Sequence, residues 1–121
     1  MHALIIEDQP MVAALIECVL TDCGFETFDI AASGEEAILA AFRRRPDLIT
    51  ADVELAPGNG IEVVKDICPR LLTPVIFITG QEAAHVRAEV SDHPVLQKPF
   101  SEQTLTYTVA ILLSGAAAPA G

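Results

Sequence analysis

The sequence predicts an α/β fold, a doubly wound sheet of five parallel strands in the order 2-1-3-4-5 with helices on both faces. Two observations lead there. Short apolar runs alternate five times with stretches of helical periodicity, and alternation of that kind implies a parallel sheet reached by right-handed crossovers. Four of the runs also end on polar groups: Ala3 to Ile6 on Glu7 and Asp8, the run after Pro46 on Asp52, Pro74 to Ile78 on Thr79, and Pro94 to Gln97 on Lys98. If the strands are parallel, those four endings share one edge.

The first strand is the run from Ala3 to Ile6. Pro10 then suits a first helical turn, and Val12, Leu15, Ile16, Val19 and Leu20 recur at helical spacing until Gly24 offers a C-terminal cap. Phe25 to Ile30 reads as a second strand, mixed enough in polarity for a sheet edge. Ser33, with Glu35 and Glu36 behind it, caps a second helix that runs to about Arg45 before Pro46 stops it. The third strand ends on Asp52, and Ala56-Pro57-Gly58-Asn59-Gly60 lifts the backbone away before a third helix from about Ile61 to Leu71. Pro74 opens the fourth strand. Gln81 to Val90 makes a short, weakly amphipathic fourth helix, and Val95 to Gln97 a brief fifth strand that Pro99 breaks. Ser101 caps a last helix from Glu102 to about Leu113. Residues 1–114 are thus expected to form one domain, and 115–121, all Gly, Ala and Pro, a flexible tail.

A chain of 121 residues suits one domain that buries about two-thirds of its unfolded surface. Seventeen acidic against seven basic residues give a formal net charge of -10, which argues against direct contact with nucleic acid. The one basic cluster, Arg43 to Arg45, is expected to complement the dipole at the end of the second helix. No apolar run approaches the ~20 residues of a membrane helix, and no basic segment precedes the first apolar run. A cytoplasmic chain without membrane insertion is expected. Cys18, Cys23 and Cys68 are odd in number and lack CxxC spacing, so they read as small buried apolar residues. His2, His85 and His93 show no metal or catalytic spacing and read as solvent residues or partner contacts.

In an open parallel sheet ligands bind beyond the strands' carboxyl ends, where the strand order reverses, here between strands one and three. Those strands end on Glu7-Asp8 and on Asp52. Three carboxylates brought that close repel one another, raising at least one pKa unless a cation neutralises them. An all-oxygen set without His or Cys suits Mg²⁺, which keeps several waters and favours a phosphate oxygen as a further ligand. Lys98 adds a point charge and Thr79 a hydroxyl donor, the groups needed to hold phosphoryl oxygens. Such a site suits phosphoryl transfer to an aspartate.

Glu7-Asp8, Asp52, Thr79 and Lys98-Pro99-Phe100, each at a strand end, resemble the receiver domain of two-component response regulators over roughly residues 2 to 114. The resemblance implies the flavodoxin-like receiver fold, with Asp52 accepting a phosphoryl group from a histidine kinase or histidine phosphotransfer protein. It implies Mg²⁺ bound by Glu7, Asp8, Asp52 and the backbone carbonyl of Glu54, Thr79 and Lys98 as sensors of the phosphoryl group, and a cis Lys98-Pro99 bond. A stand-alone signalling module is expected, one that promotes its own phosphorylation and dephosphorylation and is not otherwise an enzyme. The sequence departs from the family pattern at three places. Pro57 falls five residues after Asp52, one later than usual, with Ala56 in the customary place. Val95 stands where a switch aromatic is usual, and the segment from Thr79 to Lys98 is shorter than usual. The last two weigh against the common Thr-aromatic switch and against an output face built on the fourth helix.

Two rival readings stand beside this one. A phosphatase of the haloacid dehalogenase type also uses an acid followed two residues later by a second, which Asp52-Val53-Glu54 matches loosely. Such enzymes carry that motif after their first strand and need further sequence to enclose substrate. A receiver that binds partners without phosphate is the other, and the complete acid, Thr and Lys set argues against it. The Glu54 side chain is expected in water, near the path of a hydrolysing molecule. Helices one and five are more apolar than a solvated helix needs to be: Glu17, Thr21 and Asp22 are the clearly polar residues between Val12 and Cys23, and helix five ends in Val109-Ala110-Ile111-Leu112-Leu113. In this sheet order they lie side by side, so a merged apolar patch is expected to meet a kinase, a phosphotransfer protein, a downstream protein or a second copy.

Overall fold

The structure, a computed structural model, describes residues 1–68, 70–90 and 92–115. Strands and helices alternate as β1 (His2–Ile6), α1 (Pro10–Asp22), β2 (Thr27–Ala31), α2 (Gly34–Arg43), β3 (Leu48–Asp52), α3 (Gly60–Ile67), β4 (Val75–Thr79), α4 (Ala83–Glu89), β5 (Val95–Gln97) and α5 (Glu102–Ser114). All five strands pair in parallel, in the order β2-β1-β3-β4-β5. β1, β3 and β4 are buried along their whole length, which is why they read as continuous apolar runs rather than alternating ones.

Alternate residues of each strand serve opposite faces. Leu4, Ile6, Ile49, Ala51, Val75 and Phe77 pack with α2, α3 and α4. Ala3, Ile5, Leu48, Ile76, Ile78 and Leu96 pack with α1 and α5. The register sets the level of the strand ends: Ile6 pairs with Ala51, Asp52 with Ile78, and Thr79 with Gln97. Glu7, Asp52, Thr79 and Lys98 therefore finish on one rim.

Several boundaries move inward from their expected places. β2 begins at Thr27, because Gly24 turns the chain with φ 102° and Phe25 is buried in the α1 side of the core as an anchor before the strand. α2 stops at Arg43; Arg44 is already extended, and Arg45 donates to the carbonyl of Leu72 at 3.0 Å. One arginine rather than three thus sits in the last helical turn. α3 is capped by Asn59 Oδ1, which accepts from Glu62 N at 2.9 Å, and ends at Ile67 instead of Leu71. The tail, expected at 115–121, lies outside the described residues from 116 onward.

Two readings of single residues are corrected. Cys18 is exposed on the outer face of α1, with Cys23 and Cys68 half-buried, because helical spacing turns position 18 away from the sheet. His2 is buried: Nδ1 lies 2.8 Å from Thr27 Oγ1 and Nε2 lies 2.9 Å from Asp29 Oδ2, which lets polar atoms on edge strand β2 satisfy the ring. His93 is half-buried with its ring edge-on to Phe77, while His85 is exposed. Exposed apolar residues occur on α1 and α5, at Met11, Tyr107 and Leu113, but α2 also exposes Leu39 and Phe42. Among the described residues no helix is long and apolar enough to cross a membrane.

Candidate functional site

The central strands β1 and β3 deliver Glu7 and Asp52 side by side at the rim, both almost completely buried, while Asp8 one residue further on is exposed. One carboxylate oxygen from each of Glu7, Asp8 and Asp52 lies within 4.8 Å of the others. Glu7 Oε2 accepts from Gln9 N at 3.1 Å; Oε1 is buried with no hydrogen-bond partner and has Lys98 Nζ at 3.4 Å as counter-charge. Asp52 Oδ1 accepts from Glu54 N at 3.2 Å, and Oδ2 lies 3.6 Å from Lys98 Nζ. The ammonium thus stands between the two buried acids, and Gln9 Oε1 at 3.5 Å supports it from α1's N-terminal side.

One lysine does not satisfy that cluster. Burial pushes Glu7 up to about 7, with the nearby charge of Asp52 adding to the rise and the Gln9 amide and Lys98 opposing it. Burial raises Asp52 as well, against the pull of Lys98, a hydrogen bond from Glu7 and the amide of Glu54. Near neutral pH the pair therefore tends to share a proton. Three convergent carboxylates, one with an orphaned buried oxygen, fit a small hard divalent cation such as Mg²⁺, whose charge offsets what Lys98 leaves over.

The other half of the rim is arranged differently. Thr79 is fully buried at the end of β4. Its Oγ1 donates to Glu54 Oε2 at 2.8 Å and accepts from Gln81 N at 3.0 Å. Gly80 N donates to the second oxygen, Glu54 Oε1, at 2.5 Å. Glu54 is exposed as expected, and its carboxylate is in addition tied across the gap to the β4–α4 loop. Lys98 N donates to Thr79 O at 2.7 Å, so the ends of β4 and β5 are joined, and the Lys98-Pro99 bond is cis as the resemblance implied.

Three residues escaped the sequence reading. Gly60 starts α3 hard against β3, where an added Cβ would collide with the carbonyl of Asp52. Its N–H closes the turn onto Val53 O at 3.0 Å. The glycine was legible only as a turn former. Gln97 Oε1 accepts from Ala83 N at 3.1 Å and so holds the start of α4, whose N-cap Glu82 makes no side-chain cap. Gln9 supports Lys98. Neither glutamine carried a signal, because an amide side chain after an apolar run is common.

A cleft of about 260 Å³ opens beside this rim, between α1 and the end of β2, and Glu7, Asp8, Pro10 and Ile30 are among its walls. The sequence profile described as the response regulator receiver domain matches residues 3–110. The phyllosphere-induced regulator PhyR of Methylorubrum extorquens is 33% identical over 110 residues, 88% of this chain and 41% of that protein. The alkaline phosphatase synthesis transcriptional regulatory protein PhoP of Bacillus subtilis is 30% identical over 114 residues, 91% of this chain and 47% of its own length. This chain thus spans less than half the length of either curated relative. The solution structure of the Erythrobacter litoralis PhyR receiver domain superposes with a TM-score of 0.80 at 32% identity, covering 99% of this chain and 95% of that one. The order of strands, the acid cluster and these likenesses agree: the chain belongs to the response regulator receiver domain family.

Proposed function

We propose that this chain is a phosphorylation-controlled signalling module in which Asp52 accepts a phosphoryl group from a histidine kinase or histidine phosphotransfer protein. The observation that supports the reading best is the acceptor's setting: Asp52 is buried, within 4.8 Å of Glu7 and Asp8, with Lys98 Nζ 3.6 Å from its Oδ2. A carboxylate oxygen of Asp52 attacks the donor's phosphorus, the phosphorus–nitrogen bond of the phosphohistidine breaks, and its electron pair leaves on the imidazole, which takes up a proton. Glu7, Asp8, Asp52 and the Glu54 carbonyl would hold Mg²⁺, which when bound would supply positive charge for the phosphoryl oxygens. Lys98 leaves the acid pair and holds one phosphoryl oxygen, and the Thr79 hydroxyl holds another.

The module does not turn over a substrate; it forms and hydrolyses its own acyl phosphate. It acts in the cytoplasm through protein contacts, without nucleic acid or membrane. The dehalogenase-type reading is not favoured, since the acid motif follows β3 rather than a first strand and the family match covers residues 3–110. Incubation with Mg²⁺ and acetyl phosphate should add one phosphoryl group by intact mass, and Asp52→Asn should remove it completely. Stoichiometric labelling of that variant, or steady turnover of p-nitrophenyl phosphate, would refute the assignment. For contacts we favour α1 and α5, which share one face of the sheet and expose Met11, Tyr107 and Leu113. Leu113→Glu should slow phosphoryl transfer from the kinase at least tenfold while leaving acetyl phosphate labelling intact; equal transfer rates would move the contact elsewhere.

A further inference from the structure

We infer that Glu54 is a latch which holds the Thr79–Gly80 switch in the unphosphorylated state, and that phosphorylation acts by taking both donors from it. This rests on the phosphoacceptor reading above and deepens it. Glu54 is tied to both halves of the site at once. Its amide donates to Asp52 Oδ1 at 3.2 Å, while its carboxylate accepts from Thr79 Oγ1 at 2.8 Å and from Gly80 N at 2.5 Å.

Thr79 has one hydroxyl proton, and it is spent on Glu54. The residue is fully buried, so that proton has no water to turn to. A phosphoryl group on Asp52 introduces a second anion two residues from Glu54, and it calls on the same hydroxyl. Two anions cannot share one proton, and they repel each other across the gap. Because the Glu54 carboxylate is on an exposed side chain, it can swing into water at little cost, whereas the phosphoryl group is covalently fixed. Thr79 and Gly80 then pass to the phosphoryl oxygens, and the β4–α4 loop goes with them.

The surrounding structure suits a carboxylate-operated switch. Val95 leaves no aromatic ring on β5 to follow Thr79, so the change is carried by the loop itself. α4 is only seven residues long and has no side-chain cap of its own. Its first turn hangs on one side-chain bond from Gln97 Oε1 to Ala83 N, so movement at Gly80 reaches the helix three residues later. Glu54 is a positioning residue in this scheme: it acts through Thr79 and Gly80.

Amide hydrogen exchange on the unphosphorylated chain, without Mg²⁺, tests the latch directly. Glu54→Ala should speed exchange at Gly80 and Gln81 by at least tenfold, and Glu54→Gln, whose single amide oxygen can still accept from Gly80 N while its NH2 faces Thr79 Oγ1, should restore part of the protection at Gly80. The second arm uses beryllofluoride with Mg²⁺ as a stable phosphoryl mimic. Loss of two charge-assisted bonds in the free state should tighten its binding to Glu54→Ala by about tenfold or more. In a Thr79→Val background that gain should fall at least by half, because the residue through which Glu54 acts is gone. Wild-type exchange at Gly80 in Glu54→Ala would overturn the latch, as would a beryllofluoride gain undiminished by Thr79→Val. If Thr79→Val does not fold, the exchange rates of the two Glu54 variants decide alone. Failure of the wild-type protein to bind beryllofluoride would overturn the phosphoacceptor reading instead, and the exchange data would still judge the latch.

Discussion

The two sides of Asp52 are built on opposite principles. On the β1 side, Glu7, Asp8 and Asp52 crowd together with one lysine among them, and a buried oxygen of Glu7 has no hydrogen bond. On the β4 side the polar groups are paired with one another: Thr79 and Gly80 with Glu54, Gln81 with Thr79, Ala83 with Gln97. The acid side stores unfavourable charge that a cation relieves. The switch side is at rest and must be pulled out of its bonds. On the proposed reading, an incoming phosphoryl group would meet a site prepared to receive it and a sensor that is occupied, which would separate the chemistry of phosphorylation from the signal it produces.

The sharpest way to break this comparison is to move the wall that both sides share. Gly60→Ala drives a Cβ into the carbonyl of Asp52, so we expect a loss of about 3 kcal/mol in urea unfolding and weakened Mg²⁺ binding. A variant as stable as the native chain would show that the α3 start is free to shift. Next in size is the cation itself: at 100 times its dissociation constant Mg²⁺ should add ~2.7 kcal/mol of stability if, as proposed, it binds the folded acid cluster and not the unfolded chain. Asp52→Asn should remove much of that gain. A melting temperature indifferent to millimolar Mg²⁺ in the native chain would contradict the stored repulsion.

Titration sharpens the same point. Glu7 is raised from 4.5 to about 7 and Asp52 is raised in the same direction. Between the ordinary and raised values the folded state keeps a proton that the unfolded chain has lost. Without cation, stability should therefore fall as pH rises from about 4.5 to about 7, the reverse of the usual carboxylate behaviour. Mg²⁺ competes with that proton, so its apparent dissociation constant should rise by up to about tenfold for each pH unit below 7. Calorimetric titrations at pH 6 and pH 8 giving equal affinities would count against the shared proton. The smallest effect belongs to the switch side. Gln97→Ala removes the bond to Ala83 N and should cost about 0.5–1 kcal/mol, with faster amide exchange confined to the start of α4 and no change in acetyl phosphate labelling.

The sequence by itself determined the alternation of five strands and five helices, their parallel pairing and the rim on which Glu7, Asp8, Asp52, Thr79 and Lys98 meet. Those features follow from apolar periodicity and from caps such as Ser33 and Ser101, which act over a few residues and are legible along the chain. Tertiary structure decided what lies between residues far apart in sequence. His2 is buried because Thr27 and Asp29 on the neighbouring strand satisfy its ring. Phe25 became a core anchor outside β2, and Gly60 matters because α3 starts in contact with Asp52's carbonyl. Above all, Glu54 reads in the sequence as an acid facing water, and only the approach of β4 to β3 gives its carboxylate the hydroxyl and amide that it holds. Hydrogen bonds between strands depend on register and on distance in space, and neither leaves a local mark on composition or spacing.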